Sequence, residues 1–248
     1  MINLIKADFK KISYLPAYRY LLLSTIALSI LFGTLFLFTT NVTQGKELAE
    51  FSSTEVIDIS LLGMDVSAIM LILFTAIFVT KDLSSGAVHT NLAITPVRRK
   101  YFLSKISFIS ILSVLISVVL LILFLLIDQF VLSVYGIGGL SLIDILTKLI
   151  GSIIMVLFYS LLSVAGTFFL QSTFGGIAFA LAAMFLPALI KMFPADVSNM
   201  LLPIFPEKSL NAFIDTTNGS LGSAILVLFL WVLISSVAGL WKFNRIDY

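Results

Sequence analysis

Residues Tyr101–Ile127 read YFLSKISFISILSVLISVVLLILFLLI, and the 22 positions that follow Lys105 carry no charge. At about 1.5 Å per helical residue, such a stretch crosses a hydrocarbon core of roughly 30 Å. A soluble helix of this length needs a strongly polar stripe to meet water, and none is present. Working outward, five further runs share the character: Tyr18–Thr40, Leu61–Thr80, Leu149–Leu170, Phe174–Phe193 and Leu221–Trp241. With 60% of the residues hydrophobic and only 11% charged, there is too little polar surface for a soluble globule. The expected fold is an all-α membrane protein, one transmembrane domain over residues 1–248 with six transmembrane helices.

Charge orients these spans. The segments between them fall into two alternating sets. One set holds eleven basic residues: Lys6, Lys10, Lys11, Arg19, Lys81, Arg98, Arg99, Lys100, Lys105, Lys242 and Arg245. Its acids are Asp8, Asp82 and Asp247. The other set holds Lys46, Lys148, Lys191 and Lys208 against ten acids. Basic residues collect on the cytoplasmic side, so both termini are expected there, in a cell membrane crossed several times. The net charge of +2 hides this asymmetry and gives no sign of a nucleic-acid partner. The basic N-terminus precedes an apolar run too long for a secretory signal, and no small-x-small cleavage site follows it, so that run reads as a retained first span.

Three segments outside the spans carry structure of their own. In residues 1–16, Ile2, Ile5, Phe9 and Ile12 recur at helical spacing, with Lys6 and Lys10 on other faces. The pattern predicts a helix in the membrane interface, its apolar side toward lipid and its lysines toward headgroups, ended by Pro16. The stretch KDLSSGAVHTNLAITPVRRK, Lys81–Lys100, predicts a short helix stopped near Pro96 and followed by a basic run. The outer stretch Pro194–Ser220 holds Pro194, Pro203 and Pro206 among Met200, Leu201, Leu202, Ile204 and Phe205. That is too apolar for an exposed loop, and it predicts a broken, partly re-entrant element over Val197–Asn211. Small residues four apart at Ser29/Gly33, Gly176/Ala180 and Ser235/Gly239 suit close helix contacts.

The chemistry on offer is sparse. With no cysteine, disulfides and thiolate metal sites are excluded, and one histidine, His89, makes no metal centre. Asp65, Asp128, Lys148 and Lys191 fall near predicted span ends, where a charge can reach water, so no costly mid-membrane charge marks a proton pathway. A P-loop of the form GxxxxGK is absent. The polypeptide offers a membrane pathway without an energy source of its own. A row of serines in the third span (Ser104, Ser107, Ser110, Ser113, Ser117) leaves a passive pore as the alternative, beside a non-transporting sensor subunit.

In layout and in one short motif, the chain resembles the permease subunits of type-2 ABC exporters. The motif is an acidic residue, a Gly four positions on, a Pro closely followed by Arg, and a Lys entering the third span. Here these are Asp82, Gly86, Pro96, Arg98 or Arg99, and Lys105. Asp82 stands where the family more often has Glu. The resemblance implies that the loop between spans two and three is a coupling helix docked on a separate cytoplasmic ABC ATPase, through Asp82, Gly86, His89, Arg98 and Arg99. It implies that Lys6, Phe9 and Lys10 lie on the interfacial helix, and that Asp82 sits where it could cap the coupling helix. ATP and magnesium would bind that partner, with no cofactor or metal and no catalytic residue in this chain. Two permeases, identical or not, would pair. The small bacterial subgroup of lantibiotic-immunity permeases and phenol-soluble-modulin exporters is the most similar, which implies amphipathic or hydrophobic cargo.

Overall fold

The computed structural model describes residues 2–94, 97–137, 142–214 and 221–245. Its helices are α1 (Ile2–Tyr14), α2 (Pro16–Phe38), α3 (Thr40–Gln44), α4 (Ser53–Ser84), α5 (Ala87–Ile94) and α6 (Arg98–Tyr135), then α7 (Leu142–Leu170), α8 (Thr173–Ile190), α9 (Ala195–Leu201), α10 (Pro206–Ile214) and α11 (Leu221–Arg245). Six of them, α2, α4, α6, α7, α8 and α11, are long and apolar enough to cross a membrane. The protein is a multi-pass helical membrane protein.

Three helices, α4, α6 and α7, extend well beyond the apolar runs that announced them, α7 beginning at Leu142 instead of Leu149. α4 starts at Ser53 instead of Leu61 because a capping box sets its first turn: the Ser52 hydroxyl accepts from the Glu55 N–H, and the Glu55 carboxylate accepts from the Ser52 N–H at 2.8 Å. α6 continues past Ile127 to Tyr135 and is stopped by Gly136, whose φ of +67° ends the helix in the left-handed region. Hydropathy tracks the membrane, whereas these caps track the helix.

At the centre of the bundle, α4 packs against α2, α6, α7 and α8. α2 can approach closely because one glycine on each helix, Gly33 on α2 and Gly63 on α4, faces the other across the seam. A methyl group at Gly63 would stand 2.5 Å from the Ser29 carbonyl, and one at Gly33 would stand 2.7 Å from that of Ser60. Likewise a methyl at Gly239 of α11 would meet the Ala165 carbonyl of α7 at 2.9 Å. Among the remaining small residues, Gly176, Ala180 and Ser235 are also buried. Beside α4 an aromatic column fills the interior: Phe74 stacks on Phe78 with centroids 5.6 Å apart, Phe78 on Phe108 at 5.0 Å, and Tyr18 meets Phe78 edge-on at 5.2 Å.

Ion pairs respect the two charge sets. Lys11–Asp82, Lys105–Asp8 and Lys105–Asp82 join residues of the basic set, and Lys148–Asp58 and Lys191–Glu207 join residues of the other. No pair among the described residues crosses between sets, as expected if each set occupies its own end of the bundle.

Candidate functional site

At the basic end, α1, the last turn of α4 and the first turns of α6 converge on four charged side chains. Lys105 Nζ donates to Asp8 Oδ1 at 2.5 Å and to Asp82 Oδ2 at 2.6 Å, and Lys11 donates to Asp82 Oδ1. Asp8, Asp82 and Lys105 are only 6%, 3% and 2% exposed. Two carboxylates and two ammonium groups balance, which is the condition under which buried charge is tolerated. Phe78 serves both cations, with Lys11 Nζ 4.8 Å and Lys105 Nζ 4.9 Å from its ring centroid. The carboxyl of Asp8 is held above its ordinary value because burial outweighs the attraction of Lys105.

Asp82 is therefore placed otherwise than the sequence suggested. It belongs to the final turn of α4, and its carboxylate is committed to Lys11 and Lys105, so the capping role at the loop helix is not the one observed. The α1 helix also needs correction. Ile5, Phe9 and Ile12 pack on the protein core, and Phe9 meets Phe108 edge-on at 5.0 Å, so the apolar face is turned toward protein and not toward lipid. Lys6 and Lys10 are exposed, as the helical pattern requires.

Gly86 joins α4 to α5 with φ +72°, a conformation that a side chain disfavours. On α5, Val88 is fully buried while Thr90 and Ala93 are exposed, so one face is anchored and another is free. The side chain of His89, and Pro96 in the following stretch, lie outside the described residues. Arg98 opens α6, and its Nη1 donates to the carbonyls of Phe243 at 3.1 Å and Asn244 at 2.9 Å. These carbonyls lie at the C-terminal end of α11, where the helix dipole favours a cation. Tyr101 stacks on Phe243 at 5.8 Å beside this contact. Arg99 and Lys100 are exposed. The two arginines that the sequence leaves interchangeable thus part: Arg98 ties α6 to α11, and Arg99 is presented outward.

The loop helix is thus flanked in the sequence by two inter-helix contacts. Behind its start stands the Asp82 cluster, and behind its end the Arg98 contact. Sequence reasoning passed over Asp8 and Lys11 as cluster members. A signal for Asp8 was present, since a carboxylate three residues after Ile5 and four before Ile12 lies on the apolar face of α1.

At the opposite end, Lys148 Nζ donates to the Thr54 carbonyl at 3.0 Å and pairs with Asp58, while the Ser60 hydroxyl donates to Asp128 at 2.8 Å. Asp128 is 1% exposed, so it does not reach the surface as its place near a span end implied. Asp65 lies within α4, well past its first turn, because that helix begins earlier than its apolar run. Ser104, Ser113 and Ser117 are buried in the packed interior. Trp231 Nε1 of α11 donates to the Ile204 carbonyl at 2.8 Å, drawing the 3₁₀ turn Leu202–Ile204 against the helix ten residues past its start at Leu221. Among the described residues, no three His, Cys, Asp or Glu side chains converge on a metal position.

The sequence matches no protein-family model and no curated protein.

Proposed function

We propose that the protein is the transmembrane permease subunit of an ATP-driven ABC exporter, and that α5 is the helix through which a separate cytoplasmic ATPase moves it. The observation that carries this reading is the pair of inter-helix contacts that flank α5 in the sequence. A short helix transmits movement only if its ends are tied to the spans, and here Asp82 ties one side to α1 and α6 while Arg98 ties the other to α11. A push on the exposed face at Thr90 and Ala93 would reach four helices together. The lack of a P-loop sequence calls for an energy source on another chain.

In this reading the basic end is cytoplasmic, and α1 lies along the membrane interface with Lys6 and Lys10 toward anionic headgroups. The stretch from α9 to α10 is re-entrant from the outer side, which the bond between Trp231 and Ile204 supports: it draws irregular backbone to mid-helix depth. A second permease completes the unit. The cargo is an amphipathic peptide or another hydrophobic solute moved out of a bacterial cell, a reading that rests on the resemblance of the sequence. The test is purification of the tagged chain from its native membrane followed by an ATPase assay. Hydrolysis that accompanies a second, nucleotide-binding polypeptide supports the proposal, and robust hydrolysis by the single chain overturns it.

A further inference from the structure

A cavity of about 650 Å³ lies apart from the ion cluster, between α7, α8, α11 and the turn Leu202–Ile204. This volume is within the roughly 300–1,000 Å³ of small-molecule sites and about four times the ~150 Å³ apolar cavity that takes up benzene. On α11 its wall runs from Val227 through Trp231 to Ala238, about 16 Å at 1.5 Å per residue. Phe169, in the last turn of α7, and Phe179, in the second turn of α8, line it from the side of the Gln171–Ser172 turn. It is a slot along the helix axis, about half the ~30 Å hydrocarbon thickness in length, hence one leaflet deep.

The polar atoms of the wall are already used. Trp231 Nε1 donates to Ile204, and the Ser235 hydroxyl donates to the Trp231 carbonyl at 2.7 Å. A ligand here is offered no unused side-chain donor from Trp231 or Ser235 in a wall that is otherwise apolar, so its buried part is hydrocarbon. An empty slot would forfeit the dispersion contacts of its lining, which gives such a chain reason to stay.

One turn beyond Ala238, on the same face of α11, stands Lys242. It is exposed and has no carboxylate partner among the described residues, while its neighbour Arg245 is stacked over Trp241 at 4.2 Å. A leaflet-deep apolar slot ending at an exposed ammonium matches one ligand chemistry, an acyl chain beneath an anionic phosphate. We propose that this slot is a binding site for a single anionic phospholipid, with one acyl chain between α7, α8 and α11 and the headgroup phosphate at Lys242. The site requires only that α11 ends at a membrane surface, so it stands apart from the ATPase reading.

Trp231 provides the probe, because Trp241→Phe leaves it as the one indole of the two in the chain. The full-length variant is placed in mixed vesicles of phosphatidylglycerol and phosphatidylcholine, with mid-chain bromine on one lipid or on the other. Brominated phosphatidylglycerol is expected to quench Trp231 with about a fivefold preference, corresponding to the ~1 kcal/mol that one near-surface lysine contributes toward anionic lipid. Adding Lys242→Gln should remove the preference, and Ala238→Phe, which fills the slot, should weaken quenching by both lipids. Equal quenching by the two lipids, a preference that survives Lys242→Gln, or undiminished quenching in Ala238→Phe each overturns the proposal.

Discussion

Lys105 of α6 and Asp82 of α4 meet at 2.6 Å, with both side chains almost completely withdrawn from the surface. Through Asp8 and Lys11 the same contact takes in α1, so one buried cluster decides how three helices stand at the basic end. A pair of this kind contributes little net stability over well-packed apolar groups, but it is severe when broken, because the group left behind is a bare buried charge.

Lys105→Met leaves Asp8 and Asp82 competing for Lys11 alone. The expected loss is about 3–5 kcal/mol, read as a lower unfolding midpoint in detergent. Adding Asp8→Asn and Asp82→Asn should recover most of the loss, since the remaining Lys11 is partly exposed and can reach water. Independent, additive losses in the triple variant would mean that the four groups do not act as one cluster.

Asp8 gives that end a pH dependence whose sign is fixed by burial. Its carboxyl titrates above the ordinary 3.8, so the folded protein holds this proton more tightly than the unfolded chain does. The stability it contributes is full below that ordinary value and is lost as the pH rises through the folded-state value. Asp8→Asn should flatten the unfolding midpoint against pH in the window just above pH 3.8. An unchanged profile would assign the slope to other groups.

How much of this was legible differs from element to element. The spans were, because bilayer thickness imposes a run length that hydropathy registers directly. The first turns of α4 were not called from hydropathy, although Ser52 and Glu55 spell a capping box in the sequence. The face of α1 was misassigned because Ile5, Phe9 and Ile12 look the same whether they meet lipid or protein; only Asp8 on that face pointed to a partner inside. Asp82 and Lys105 could be singled out by their resemblance to a motif, but their meeting with Lys11 depends on how α1 folds back across the bundle, which spacing along the chain does not encode.

Gly86 is required by its left-handed backbone. Gly86→Ala is expected to cost about 1–2 kcal/mol locally and to shift α5; on the proposed function it should also lower ATP hydrolysis by the complex with the ATPase. Asn tolerates this conformation better, so Gly86→Asn should be the milder change. Identical, unimpaired behaviour of both variants would remove Gly86 from the proposed coupling path.

Orientation can be read by labelling, since the chain has no native cysteine. Ala49→Cys, exposed before α4, should react with an impermeant reagent on intact cells, and Ser85→Cys, exposed after it, should react only once the cells are opened. The reverse pattern would turn the molecule over in the membrane and separate α5 from any cytoplasmic ATPase.

The most direct measurement is a cross-link from Thr90, an exposed residue of α5, carried on a single Thr90→Cys in native membranes. The expected product joins this chain to a cytoplasmic polypeptide carrying a P-loop, and its yield changes when ATP is trapped on that partner. A well-expressed, correctly inserted Thr90→Cys protein that yields no nucleotide-binding partner at this position would contradict the assignment of α5 as a coupling helix.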